Sequence, residues 1–170
     1  WVLAASPVPL PWRHQTVLDL ATPAAAAHLL DRIDGVVSEI GVDFIKWDHN
    51  RDLHAAVSSH TGRASVHAQT AAFYALLDAL RERHPSLEIE SCASGGARVD
   101  RGVLRRTQRV WASDSNDPVE RQRIQRWTGT LIPPELVGSH VGPPIAETTH
   151  RAASLPFRMT TALFGHAGIE

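Results

Sequence analysis

The chain has 170 residues, of which 43% are hydrophobic and 21% are charged, a composition typical of a soluble globular domain with its own core. Lys and Arg number 17 and Asp and Glu number 18, so a strongly basic surface for nucleic acid or an anionic membrane is excluded as the main binding face. No apolar run approaches the about 20 residues that a membrane helix needs. The single cysteine, Cys92, cannot form an internal disulfide, and we expect a cytoplasmic protein.

Both ends of the sequence have the character of internal segments. The start at Trp1 lacks an initiator Met and the basic region of a signal peptide, and residues 166–170 stop within an apolar run. We therefore expect the chain to be a piece of a longer protein.

Strand and helix patterns alternate along the chain. Strands are predicted from short apolar runs, and helices from apolar residues at helical spacing and from start and stop residues such as Pro23 and Gly41. In chain order, the predicted elements are a Pro-rich loop at 1–16, a strand at 17–20, a helix at 23–40, a strand at 42–48, a loop at 51–63, a helix at 65–84, a strand at 87–92, a short helix at 99–106, a strand at 109–113, a helix from Pro118, a strand at 136–141, a helix at 150–164 and a strand at 166–169.

This order of elements predicts a parallel sheet with helical crossovers. No Gly-x-Gly-x-x-Gly motif follows the first strand, which disfavours a dinucleotide-binding fold. Polar residues at the ends of several strands favour a (β/α)8 barrel, which typically has about 250 residues. We therefore predict an α/β fold, a partial (β/α)8 TIM barrel with about six of the eight βα units, from the C-terminal part of the barrel.

Two aspartates lie where apolar runs turn polar. Asp48 ends the second predicted strand, and Asp114 follows the fourth, where alternation predicts that it shares a face with Val110 and Ala112. The C-terminal edge of a parallel sheet is where α/β proteins usually carry out their chemistry. Two carboxylates that meet there from separate strands suit acid–base and nucleophilic sugar chemistry.

Lys46 shares a strand face with Asp48, because side chains alternate along a strand. A neighbouring lysine favours the ionised carboxylate, and an ionised carboxylate can act as a nucleophile. Asn50 lies two residues further on and is a candidate hydrogen-bonding partner for a substrate hydroxyl. An ordinary buried Lys–Asp ion pair explains the Lys46 and Asp48 spacing equally well.

For Asp114, two interpretations compete. Two like charges in one site are costly, so we expect Asp114 beside an ionised Asp48 to retain a proton, as a proton donor must. Alternatively, Asp114 is the N-cap of the next helix, because residues 114–117 are all capping types. Asp117 directly precedes Pro118, so we assign the cap to Asp117.

Four further features have simple interpretations. Gly95 and Gly96 allow the backbone to approach a ligand closely, although a plain turn explains them as well. Cys92 has no base near it in sequence, so we interpret it as a packing or contact residue. Ten histidines lack close ligand spacing, so we expect no metal and no cofactor. A basic stretch is interpreted as a solvated face or subunit contact; its members are Arg105, Arg106, Arg109, Arg121, Arg123 and Arg126.

Three segments together resemble glycoside hydrolase family 36, the microbial α-galactosidases. They are KWDHNR at 46–51, CASGGAR at 92–98 and WASDSND at 111–117. Shorter stretches at 13–15, 133–136, 138–144 and 163–166 also fit, in the right order and over nearly the whole chain.

This resemblance implies retaining hydrolysis of terminal non-reducing α-D-galactosyl residues, as in melibiose and raffinose-type sugars. It implies that Asp48 is the nucleophile and Asp114 the acid/base. The residues implied to bind the sugar are Arg13, Lys46, Trp47, His49, Asn50, Cys92 and Gly95. The family usually has methionine at the position of His49 and glycine at that of Ala97.

The resemblance also implies the domain organisation. Residues 1–170 are expected to be part of a single (β/α)8 catalytic domain, without the family's N-terminal β-sandwich, first barrel strands and C-terminal β-domain. The expected partner is an α-galactoside oligosaccharide, and the full-length protein is expected to be a homo-oligomer. Two alternatives stay open: a galactosyl transglycosidase with the same catalytic pair, and a catalytically inactive fragment with exposed strand edges.

Overall fold

The structure, a computed structural model, describes residues 1–4, 11–12 and 14–170. In that part of the chain, helices and strands alternate. In chain order they are α1 (Pro23–Ile40), β1 (Phe44–Trp47), α2 (Val66–Arg83), β2 (Glu88–Ser91), α3 (Arg101–Leu104), β3 (Arg109–Trp111), α4 (Pro118–Thr128), a 3₁₀ turn (Pro134–Leu136), β4 (Val137–Val141), α5 (Leu155–Ala162) and β5 (His166–Ile169).

The five strands form one sheet in the order in which they occur along the chain. Ser91 of β2 is paired with Val110 of β3, Val110 with Val137 of β4, and Gly138 of β4 with His166 of β5, all in parallel. A helix lies in each connection between successive strands. The predicted parallel α/β fold is therefore confirmed.

The predicted strand at 17–20 is wrong, so the sheet has five described strands where we predicted six. Leu18 forms only an isolated antiparallel bridge with Val2. The buried carboxylate of Asp19 instead ties this segment to its surroundings, because it accepts hydrogen bonds from Thr22 (3.1 Å) and Ser58 (2.6 Å). A buried carboxylate needs such donors, and they hold the segment in a turn.

The helices follow their sequence signals closely, except for the last one. α1 begins directly after Thr22 and ends at Gly41, whose φ of 72° is the left-handed conformation that glycine adopts at little cost. α5 begins at Leu155, five residues later than predicted from the sequence. His150 has a φ of 58°, which is incompatible with a right-handed helix at the predicted start.

The chain divides into two compact units. The first comprises Trp1–Ile45 and Asn50–Glu88, and its core includes Phe73, Leu76, Leu77 and Leu80 of α2. The second comprises Lys46–His49 and Ile89–Glu170, and its core includes Ile89, Val103, Val110 and Trp111.

No helix in the described part of the chain is both long enough and apolar enough to cross a membrane.

Candidate active site

Asp48, Cys92 and Asp114 come together in the second unit. The backbone N–H of Cys92 donates to the carbonyl of Trp47 (2.9 Å), and the N–H of His49 donates to the carbonyl of Cys92 (3.1 Å). These two bonds hold the segment around Asp48 beside the residue that follows β2. Asp48 and Asp114 are exposed, whereas Cys92 is buried.

The Cys92 thiol contacts both carboxylates. Its Sγ lies 3.9 Å from Oδ1 of Asp114 in hydrogen-bonding geometry, and it also forms a hydrogen bond with Asp48. The pKa of the thiol is raised to about 12, mainly by burial and also by the two carboxylates, whereas the N–H of Gly95 opposes this rise. The thiol is therefore protonated at neutral pH, which makes it a donor to the carboxylates and excludes it as a nucleophile.

The paired glycines lie against the backbone that carries Asp114. A Cβ added to Gly95, which has a φ of 80°, would lie 2.7 Å from Cα of Ser113 and 3.1 Å from N of Asp114. A Cβ added to Gly96 would lie 2.9 Å from the carbonyl oxygen of Ala112. The sequence leaves both a close approach to a ligand and a plain turn open for these glycines, and in the structure their backbone closely approaches residues 112–114.

Asp114 does not follow the strand alternation that the sequence predicts. β3 ends at Trp111, so Ala112 and Asp114 lie beyond the strand and do not share a strand face with Val110. Instead, the loop after β3 brings the Asp114 carboxylate to Cys92. The predicted face assignment is therefore wrong, because the pleat ends before Asp114.

The predicted helix cap is confirmed at Asp117. Its Oδ1 accepts a hydrogen bond from the N–H of Val119 (2.9 Å), and this bond caps the N-terminal end of α4. Its Oδ2 accepts from Thr149 and Arg151. Burial opposes the charged form, but these hydrogen bonds and the Arg151 charge outweigh it and hold the pKa of Asp117 below its usual range.

Trp111 has three polar neighbours on one buried ring. Its side chain is 1% exposed, and the Lys46 Nζ lies 4.2 Å from the ring centroid. The His140 ring lies at 4.4 Å, and the guanidinium carbon of Arg121 lies at 4.2 Å. The electron-rich ring face attracts cations. Trp111 therefore holds the side chain of Lys46, two residues before Asp48.

Arg109 of β3 contacts polar side chains on β2 and β5. Its Nε lies 3.3 Å from Oε2 of Glu90, and its Nη1 lies 3.2 Å from Nε2 of His166. Arg109 lies two residues before Trp111 on β3, and Glu90 lies on β2 two residues before Cys92, which follows that strand. Glu90 and Arg109 therefore lie further from the C-terminal ends of their strands than Cys92 and Trp111 do. Arg109 is buried, and its interpretation as part of a solvated basic face is wrong.

Arg121 is a second buried arginine that the sequence interpretation assigned to a solvated face. It is 1% exposed, and it donates from Nε to the carbonyl of Ser115 and from Nη2 to the carbonyl of Ser113, both at 2.6 Å. Burial lowers the pKa of its guanidinium to about 10, although Glu170, Glu90 and Asp114 favour the charged form. The group therefore remains charged at neutral pH.

Arg98 closes the second sequence motif and was missed as a functional candidate. Its Nη2 donates to the carbonyls of Trp47 and Cys92, both at 3.0 Å. This side chain therefore ties together the ends of β1 and β2, directly before Asp48. The available signal was its position in the CASGGAR segment at 92–98.

Glu170 and His140 extend the site to the last strand. Nδ1 of His140 lies 2.9 Å from Oε2 of Glu170, which also accepts from Asn116 (3.1 Å). Burial disfavours the carboxylate, but these hydrogen bonds and the charges of Lys46 and His140 hold the pKa of Glu170 below its usual range. His140 and Glu170 were not among the site residues predicted from the sequence.

The remaining candidate residues are divided among the two units and a position outside the described residues. Lys46, Trp47, His49 and Gly95 belong to the second unit with both aspartates, whereas Asn50 belongs to the first. Arg13 lies outside the described residues. No group of three or more His, Cys, Asp or Glu side chains in the described part of the chain is arranged to hold a metal ion.

Comparison with known proteins gives consistent matches. A family model described as Melibiase matches residues 1–170. The α-galactosidase of Escherichia coli is 48% identical over 171 residues, which is 100% of this chain and 24% of that protein. The crystal structure of the α-galactosidase from Lactobacillus brevis matches with a TM-score of 0.94 at 34% identity, over 100% of this chain and 24% of that one.

Two ligand complexes are also similar. They are variants of the Geobacillus stearothermophilus α-galactosidase AgaA, of glycoside hydrolase family 36, bound to stachyose and to raffinose. Each matches with a TM-score of 0.91 at 30% identity, over 100% of this chain and 24% of that one.

Parallel strands with helical crossovers, together with these matches, define part of a glycoside hydrolase (β/α)8 barrel with two carboxylates at the strand ends. The match over residues 1–170 shows that the chain belongs to the melibiase family, that of the family 36 α-galactosidases. It spans 24% of the length of its Escherichia coli relative.

Proposed function

We propose that the complete protein hydrolyses terminal non-reducing α-D-galactosyl residues with retention of configuration. The observation that carries this proposal is the contact of one buried, protonated thiol with two exposed carboxylates, those of Asp48 and Asp114. Retaining glycosidases need two carboxyl groups about 5–5.5 Å apart, and two carboxylates that contact one sulphur suit that separation. Membership of the melibiase family supports the same assignment.

In the first step, an Asp48 oxygen attacks the anomeric carbon and the glycosidic C–O bond breaks. Asp114 gives its proton to the departing oxygen, and a galactosyl ester of Asp48 forms. In the second step, Asp114 takes a proton from water, the water oxygen bonds to the anomeric carbon, and the Asp48 carboxylate is released. The Cys92 thiol remains protonated throughout, and its one S–H donates to one of the two carboxylates at a time.

For the substrate, we propose α-galactosides of the melibiose and raffinose type. Support comes from the stachyose and raffinose complexes of the AgaA variants. Sugar hydroxyls need several fixed polar partners, and Lys46 is held on the Trp111 ring. The proposed sugar-binding residues are Arg13, Lys46, Trp47, His49, Asn50, Cys92 and Gly95.

We further propose that residues 1–170 are part of one (β/α)8 catalytic domain in a longer protein that forms homo-oligomers in the cytoplasm. The 24% coverage of the Escherichia coli relative supports the first part of this proposal. Light scattering of the complete protein tests the oligomer, and cell fractionation tests the location.

The test of the catalytic pair uses Asp48→Ala and Asp114→Ala in the complete protein with melibiose. We expect Asp48→Ala to abolish turnover and Asp114→Ala to reduce it by roughly 10²–10⁴-fold, the usual contribution of general acid–base catalysis. Asp31→Ala is the matched control, because its side chain is 72% exposed on α1. Substantial turnover by Asp48→Ala refutes the assignment, and transfer of galactose to added sugar acceptors in place of water identifies a transglycosidase.

A further inference from the structure

Arg121 forms hydrogen bonds with the backbone on both sides of Asp114. Its Nε donates to the carbonyl of Ser115 and its Nη2 to the carbonyl of Ser113, each at 2.6 Å. Nη2 also lies 3.3 Å from Oδ1 of Asn116. A guanidinium is a rigid, planar fork of donors, so two bonds of this kind fix the loop in both position and orientation.

The guanidinium is itself fixed from the other side. It lies 4.2 Å from the centroid of the Trp111 ring, and Arg121 is 1% exposed. The same ring carries the Lys46 ammonium at 4.2 Å, and Lys46 is two residues before Asp48. The Trp111 ring therefore contacts Lys46, which lies in the segment that carries Asp48, and Arg121, which bonds to the loop that carries Asp114.

The loop needs such an anchor because β3 does not extend to Asp114. The strand ends at Trp111, and α4 begins at Pro118, so residues 112–117 lie outside both elements. Arg121 lies in the first part of α4 and reaches back to the middle of this loop. The contact of Asp114 with Cys92 depends on the path that the loop takes.

We propose that Arg121 is a positioning residue that holds Asp114 where it can protonate the leaving group. This inference rests on the proposed function of Asp114 as the acid/base. Arg121 acts through the Ser113 and Ser115 carbonyls and is not a catalytic residue. General acid catalysis requires the donor within hydrogen-bond reach of the departing oxygen, so a displaced loop impairs protonation before it impairs binding.

This role predicts a dependence on the leaving group. A sugar alcohol departs only with a proton, whereas a strongly acidic phenol such as 2,4-dinitrophenol departs as the anion without one. Displacement of Asp114 should therefore slow hydrolysis of melibiose and leave cleavage of the 2,4-dinitrophenyl α-galactoside bond almost unchanged. A general loss of folded protein reduces both rates by the same factor.

The test compares kcat/KM of Arg121→Lys for melibiose and for 2,4-dinitrophenyl α-galactoside in the complete protein. Lysine keeps the charge but replaces the planar fork by a single ammonium. We expect a loss of about 10–100-fold for melibiose, a part of the full general-acid contribution, and less than about 3-fold for the activated substrate. Arg126→Lys is the matched control, because Arg126 is an exposed arginine of α4 stacked on Trp127 at 5.3 Å, and it should change neither rate.

Equal losses for both substrates in a folded Arg121→Lys protein, or melibiose activity close to that of the wild type, overturn the inference. If Arg121→Lys does not fold, Arg121→Gln decides, because a neutral glutamine amide has a single NH2 donor group in place of the guanidinium fork. A loss selective for melibiose supports the inference, and no selective loss overturns it. Failure of the proposed function looks different, because the wild type is then inactive or Asp114→Ala retains full activity.

Discussion

At the scale of single residues, the two carboxylates depend on neighbouring side chains that take no part in bond making or breaking. Cys92 is buried between Asp48 and Asp114, and its raised pKa keeps it a hydrogen-bond donor at any physiological pH. Arg98 fixes the backbone before Asp48, and Arg121 fixes the backbone around Asp114. Each carboxylate therefore has an arginine that bonds to main-chain carbonyls close to it in sequence.

Gly95→Ala should lower activity by moving Asp114. A methyl group at this position would lie 2.7 Å from Cα of Ser113, and the residue would also keep an unfavourable φ of 80°. Backbone atoms cannot rotate away, so the loop must shift. We expect a loss of about 10²-fold in kcat/KM for melibiose, in line with the cost of small misplacements in active sites.

Gly35→Ala is the matched control for this glycine, since a Cβ there meets nothing within 4 Å and the residue lies inside α1. We expect unchanged activity and a stability gain of about 0.5–1 kcal/mol, measured by thermal unfolding. Full activity of Gly95→Ala would show that residues 112–114 tolerate the shift.

At the scale of secondary structure elements, local signals predicted what local forces decide. Thr22, Pro23 and Gly41 mark both ends of α1, and the structure follows them. The strand predicted at 17–20 fails because the buried Asp19 is held by Ser58, 39 residues away, and no local pattern reveals that bond. Local sequence patterns therefore predicted most of the helices and strands, but they did not predict the long-range hydrogen bonds between segments.

The candidate site likewise contains residues that local patterns predicted and residues that they missed. Asp48 and Asp114 follow from strand ends, because the C-terminal edge of a parallel sheet brings such residues together. Arg121 was missed because it is indistinguishable in sequence from the exposed Arg123 and Arg126, and its burial involves contacts with Trp111 and the backbone of residues 113–115 that no local pattern reveals.

The start of α4 should be sensitive to the loss of Asp117. Asp117→Ala removes the hydrogen bond to the N–H of Val119 and leaves Arg151 without this carboxylate. We expect a destabilisation of about 0.5–2 kcal/mol, the usual cost of an N-cap, measured by urea unfolding. Ser154→Ala is the control, because Ser154 caps α5 without a side-chain hydrogen bond and should cost much less.

The contribution of Asp117 should also depend on pH. Its folded-state pKa is lowered below the ordinary value of 3.8, so the unfolded state binds a proton more readily. The stabilisation is complete well above pH 3.8 and is lost as the pH falls through the folded-state pKa. A difference in stability between wild type and Asp117→Ala that does not shrink in acid would contradict this account.

At the scale of the whole molecule, the described strands leave apolar surface uncovered. In the part of the chain that the structure describes, β5 pairs only with β4, and Ile169, Phe164 and Leu163 are 91%, 76% and 67% exposed. Large exposed apolar patches mark surfaces that other protein segments cover. Because the chain spans 24% of its Escherichia coli relative, tests of catalysis belong on the complete protein.

The most direct test of the central claim is the configuration of the glycosyl azide that each aspartate variant forms from 2,4-dinitrophenyl α-galactoside and azide, read by NMR. Without the nucleophile, Asp48→Ala should let azide attack the face opposite the leaving group and give the β-galactosyl azide. Without the acid/base, Asp114→Ala should still form the Asp48 ester, which azide opens to the α-galactosyl azide. An α product from Asp48→Ala, or a β product from Asp114→Ala, would contradict the assigned roles.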